Sequence, residues 1–332
     1  MNMSTTFELS RTEAPDLAIM RQSKASCNDA MINIEMFHIQ TAYLPSLCDK
    51  FSRLNATLNQ ADKNLRDCTQ RLYYDITTHS DILGNYLDEL AQSISDAERL
   101  EVSGDMAKEL NAALKLTHTQ VRTLAHSLLS ISDTLDRTST LRNIASFQVE
   151  QERIPEEIER IESSKRDVEA ERATLTAAIN AIESKGFGAI AQDTLLTAEK
   201  VAALGPTPPE AAVIQLALGL LKKSLEDIDA AFNFLGLVSL RNRLRQRSNE
   251  ISATLRAKQR EFSLLNRRVR MLEAVHAFDD EIQNYKREYS KVVDAIRLFE
   301  TSLMRVTKID KLVIDNFRTQ AAAVVNYLKP IC

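Results

Sequence analysis

Five of the seven glycines and three of the seven prolines in this 332-residue chain lie between Gly186 and Gly236. Elsewhere little interrupts a helix, and Leu240 to Leu328 contains neither residue. Glycine and proline punctuate helices and supply the turns of β-sheets, so their confinement to one island points to an all-α fold. The composition agrees: 27% of residues are charged, only 5% are aromatic and there is no Trp, a mixture suited to helix packed on helix. A formal net charge of −4 gives no global field steering the chain to nucleic acid or anionic lipid.

Outside the island the apolar residues alternate by three and four, which keeps a narrow stripe facing a partner helix. Residues 1–14 read as a flexible polar arm, and Pro15 with Asp16 starts the first helix. Pro45 opens the next, which carries the stripe Phe51, Leu54, Leu58, Ala61, Leu65, Cys68 and Leu72. Gly84 and Glu101–Asp105 are the next weak points. Leu110, Leu114, Thr117, Val121, Leu124, Leu128, Ile131 and Leu135 then form another seam, and Pro155 predicts a kink or short break. Beyond the island, Phe278, Ile282, Tyr285, Tyr289, Val292, Ile296, Phe299, Leu303 and Val306 hold the same period. One helix from Leu240 to Leu328 would measure roughly 130 Å at the α-helical rise, with Pro330 ending it.

Polar faces this extensive predict an elongated antiparallel bundle or coiled-coil rod. Its organisation reads as a flexible arm (1–14), the first long helices (15–185), a hydrophobic tongue (186–240) and a long C-terminal helix (241–332). Charge supports the pairing of the tongue's two arms. Glu150–Arg172 holds nine acids and five bases, whereas Arg241–Arg270 holds ten bases and two acids. Exposed ion pairs contribute little stability, so these charges act mainly on pairing specificity.

Within the tongue, Gly186 and Gly188 break the incoming helix. Ala189–Leu204 forms a short helix bearing Ile190, Leu195, Leu196, Val201 and Leu204. Gly205 and Pro206 begin a turn, and Thr207 with Glu210 matches a capping box with Pro208 at the first helical position. The second helix begins with eleven residues free of ionisable groups, Ala211–Leu221, and continues to Leu235. Val213, Ile214, Leu216, Leu218, Leu220, Leu221, Ile228, Phe232, Phe234 and Leu235 make it apolar. Gln215, Lys222, Glu226, Asp229 and Asn233 line one polar stripe. Ala211–Leu235 is long enough to cross about 30 Å of hydrocarbon, but its charges would then have to face water, as in a ring of copies around a channel. Gly186, Gly188, Gly205 and Gly236 are hinge candidates. Arg241, Arg243, Arg245 and Arg247 follow at a position to meet lipid headgroups. Ordinary core packing is the competing reading of the apolar helix, and a solvated or ion-paired face that of the arginines.

No catalytic or metal-binding pattern appears, and no cofactor is expected. His38, His79, His118, His126 and His276 are scattered without ligand spacing, and Cys27, Cys48, Cys68 and Cys332 contain no CxxC pair. Cys68 falls in the apolar stripe, as a buried reduced thiol would. Met1–Met20 lacks the apolar core of a secretory signal, so the expectation is a soluble cytosolic product released by another route.

This tongue, between the Ile158–Ile182 and Leu244–Val306 stripes, resembles the α-helical pore-forming toxins related to cytolysin A. Within that group it is most similar to the B component of Xax/Yax-type binary cytotoxins. The resemblance implies a non-enzymatic protein with a sheltered tongue. Contact with a target-cell membrane and an A component swings the hairpin out, and a hetero-oligomeric ring forms the pore. The inserting residues would be those of Ala189–Leu204 and Ala211–Leu235, the partners an A component and the bilayer, with no nucleic acid. A second reading is a structural coiled-coil or secretion-apparatus protein that binds partner helices without entering a membrane.

Overall fold

The structure is a computed structural model that describes residues 12–133, 135–185, 196, 198–203, 205–225, 233–304 and 310–332. It is all-α, with no β-strand among the described residues. In chain order the helices are α1 (Leu17–Thr41), α2 (Pro45–Gln92), α3 (Asp96–Ser130), α4 (Arg137–Ser184), α5 (Ala198–Ala203), α6 (Pro208–Leu225), α7 (Phe234–Met304) and α8 (Lys311–Leu328). Two compact units result: Met1–Arg142 with Arg268–Cys332, and Asn143–Arg267.

In the first unit, α1, α2, α3, α8 and the second half of α7 share one core. Asp16 caps α1 by accepting from the N–H groups of Ala18 and Ile19, and Pro45 sits in the first turn of α2. Every member of the Phe51–Leu72 stripe is buried, and Phe51 meets Phe278 edge to face at 5.1 Å. Asp62 is paired twice in this core: the Tyr285 hydroxyl donates to it at 3.0 Å, and Lys24 donates to the same carboxylate at 2.6 Å. Burial opposes the charge on Asp62, but the hydrogen bonds from Lys24, Arg66 and Tyr285 prevail and hold its carboxyl below the usual range. Burial pushes the Cys27 thiol up to about 12 with Glu281 adding to the effect. Cys68 is a buried free thiol, part of the packing.

Four helix boundaries differ from expectation. α2 continues through Gly84 and α3 through Glu101–Asp105; the interruption falls at Ser93–Ser95. There Ser95 and Glu98 form a reciprocal capping box, which starts α3. Gly84 stays in the helix for packing: a Cβ there would lie 3.0 Å from the Arg318 guanidinium of α8. α4 runs through Pro155. Finally, the chain from Leu240 to Leu328 is two helices. α7 ends at Met304 and α8 is capped by Asp310, which accepts from the Val313 N–H at 2.9 Å. α8 packs on α2 and sets Phe317 against Phe299.

In the second unit α4 and α7 lie antiparallel, because rising numbers on one meet falling numbers on the other. Gln151 donates to Asn266 at 3.2 Å, Glu157 pairs with Lys258 at 3.0 Å and Ser248 donates to Glu169 at 3.3 Å. Acidic and basic arms therefore do face each other. Their inner faces join α6 in a second core.

Candidate membrane-inserting element

α6 is built by its own sequence. Gly205 takes φ +58°, a left-handed conformation that a side chain would strain. The Glu210 carboxylate accepts from the Thr207 N–H at 2.7 Å, one arm of the expected capping box. The Lys185 ammonium, at the end of α4, approaches the same carboxylate at 3.6 Å. The backbone hydrogen bond from Thr207, then its hydroxyl, and the charge of Lys185 together keep the Glu210 carboxyl below its ordinary range. The tie between the end of α4 and the start of α6 was not legible in sequence, because nothing in the spacing of Lys185 and Glu210 announces it.

The helix has two faces. Ile214, Ala217 and Leu221 are fully buried against Leu175, Ala178, Ile179 and Ile182 of α4 and Phe234, Leu237 and Leu244 of α7. Burying an Ile or Leu side chain of this kind stabilises by about 1.5–3 kcal/mol, so α6 is held firmly but not irreversibly. Val213, Leu218 and Leu220 are half-buried. The opposite face presents Ala212, Gln215, Leu216, Gly219, Lys222 and Lys223 to solvent. Leu216 is 63% exposed, an apolar side chain in the middle of the wet face. No described helix is long and apolar enough to cross a membrane, and 18 residues of α6 rise only about 27 Å.

The remaining expected site residues fall as follows. Leu196 and Phe234 are buried and Leu235 is 39% exposed. Val201 lies in α5, and nothing is described of its side chain. Ile190, Leu195, Leu204, Ile228 and Phe232, with Glu226, Asp229, Gly186 and Gly188, lie outside the described residues. Gln215 and Lys222 share the exposed face, whereas Asn233 is buried and caps α7, its Oδ1 accepting from the Gly236 N–H at 2.9 Å. The signal for that cap was an Asn one residue ahead of an apolar helical run. Gly236 is buried in the first turn of α7. Arg241 is half-buried and donates to Asn242 at 3.2 Å; Arg243, Arg245 and Arg247 are exposed. Among the described residues no group of three His, Cys, Asp or Glu side chains could hold a metal ion.

No family model matches the chain, and no curated protein matches it by sequence. Solved structures do match. PaxB from Photorhabdus luminescens superposes with a TM-score of 0.71 at 17% identity, covering 96% of this chain and 96% of that one. XaxB from Xenorhabdus nematophila gives 0.70 at 14% identity, covering 92% and 97%. The chain has the PaxB and XaxB fold. A chain of the XaxAB pore complex from Xenorhabdus nematophila gives 0.64 at 16% identity, covering 92% of this chain and 95% of that one. The expected resemblance to B components of Xax/Yax-type toxins is thus borne out in fold, over nearly the full length of both chains. In this XaxB-like chain the antiparallel α4 and α7 carry α6 between them.

Proposed function

We propose that this chain is the B-type subunit of a binary pore-forming cytotoxin, acting by assembly on a target-cell membrane rather than by catalysis. The observation that carries the reading is α6, set in a fold also found in the XaxAB pore complex. One apolar face is stored against α4 and α7, while Leu216 stands exposed on the other. In the inserted state Ile214, Leu218 and Leu221 exchange protein contacts for lipid. Gln215 and Lys222 then face water, because a charge at mid-bilayer costs at least a few kcal/mol. Gly205 and the glycines flanking the tongue act as hinges, and Arg243, Arg245 and Arg247 meet headgroups. Asn233 would have to release its cap on α7 to join a polar lining.

A helix too short to span alone favours insertion shared among subunits and dependent on an A component. The structural coiled-coil reading leaves the exposed Leu216 of α6 without a role. The test is dye release from loaded liposomes with this chain alone, an A-type partner alone, and both. Release only with both is expected; folded protein that releases nothing under any condition sinks the proposal.

A further inference from the structure

α1 has two sides with the period of a helix-packing seam, and its own fold covers one of them. Met20, Ser23, Cys27, Ala30 and Ile34 turn inward and are buried. On the opposite side Gln22, Ala25, Asp29, Ile32, Met36 and Ile39 follow one another by three and four residues, and all six are exposed. That spacing keeps one narrow line of side chains against a second helix. The C-terminal half of the line is apolar: Ile32 is 63% exposed, Met36 40% and Ile39 82%. Exposed apolar side chains standing singly are ordinary on a protein surface, and Ile94, Leu129 and Leu312 are of that kind. Three at successive positions of one line form a seam whose partner is another molecule.

The acids of this face narrow the choice of partner. Asp29 stands in the line itself and Glu35 beside it, next to Met36. Among the described residues neither carboxylate has a hydrogen bond or ion pair. An approaching helix would desolvate Asp29, and a basic residue on that helix offsets the cost. A second copy fits badly. Two α1 helices paired in parallel set Asp29 against Asp29, and antiparallel overlap of the three apolar residues sets Glu35 against Glu35. Three large side chains are also far fewer than the roughly 20–30 residues a side of a stable interface. Anionic lipid is disfavoured by the same carboxylates, because such a surface attracts basic residues.

In the pore-forming reading, on which this inference rests, an alternating ring gives every B-type subunit an A-type neighbour on each side. Contacts outside the inserting tongue then hold the neighbours together. We infer that the outward seam of α1 docks an amphipathic helix of the A-type subunit, whose apolar residues cover Ile32, Met36 and Ile39 and whose Lys or Arg meets Asp29. A contact of this size is weak by itself and adds to the others within the ring.

The test titrates the A-type chain against a fixed amount of this chain on dye-loaded liposomes. Ile32→Gln, Met36→Gln and Ile39→Gln together alter only exposed positions, so the triple variant should melt like the wild type. It should raise the A-type concentration for half-maximal release by roughly tenfold or more, and Asp29→Lys alone should raise it as well. A benzophenone amino acid at Ile39 should crosslink to the A-type chain during release. An unchanged titration with either variant overturns the inference and leaves the pore-forming reading standing. Wild-type chain that releases nothing at any A-type concentration overturns both. A crosslink to another copy of this chain would give the seam to self-association, and loss of vesicle binding by the triple variant without the A-type chain would give it to lipid. Either outcome overturns the inference.

Discussion

Leu216 and Leu221 are five residues apart on one helix and have opposite fates. Leu221 is completely buried against α4 and α7, whereas Leu216 is 63% exposed. Leu221→Asp places a charge in a dry core and should cost about 3 kcal/mol or more in urea unfolding of the second unit. Leu216→Asp should change stability by no more than about 0.5 kcal/mol, yet abolish dye release. Equal destabilisation by both would show that Leu216 serves the fold. Sequence could not separate the two, because in an apolar run the period alone does not say which side is covered. It did separate the heptad positions of α2, where polar residues frame the stripe. Another residue-scale expectation concerns His276, whose Nε2 lies 2.8 Å from Thr140 Oγ1. Desolvation, then the Arg137 charge, lower its pKa despite Asp280, Asp279 and Glu273. A folded-state pKa below the unfolded value of about 6.5 means that the unfolded chain binds more protons, so stability is lost as pH falls below that value. The melting temperature should therefore drop between pH 7 and the folded-state pKa, and His276→Gln should flatten the drop.

At the scale of elements, helix starts were legible wherever a side chain caps them. Asp16 and the Thr207–Glu210 pair behave as their sequence predicts, and Ser95–Glu98 and Asp310 carry equally plain signals. The errors came from weighing glycine and proline above caps. Gly84 and Gly104 lie inside helices, and α7 gives way to α8 with neither residue present. Glu210 has two duties, completing the cap of α6 and meeting Lys185. Glu210→Gln should raise amide hydrogen exchange across 208–225 and leave α2 and α3 unchanged. If α6 must leave its seat to act, the same variant should also speed dye release; protection unaltered in α6 would mean that Glu210 does not hold it.

For the whole molecule, the all-α class, the antiparallel arms and the toxin-like fold were readable from period, charge and the placement of glycine. The two compact units are a division of another kind. Sequence reading places boundaries at 185 and 240, while the compact units meet at 142 and 267, inside α4 and α7. A boundary crossed by a continuous helix leaves no turn residues to mark it. The partner dependence proposed above belongs to this scale. Mixing with an A-type chain and membranes should yield a large hetero-oligomer by size-exclusion chromatography in detergent, and this chain alone should not. The central claim is that α6 enters the bilayer, and a polarity-sensitive fluorophore tests it most directly. It is attached at Leu216→Cys with Cys332 replaced by Ser, the remaining cysteines being buried. During dye release the account predicts a blue-shifted emission that lipid-borne quenchers suppress. Full release with the probe still reporting water would contradict it.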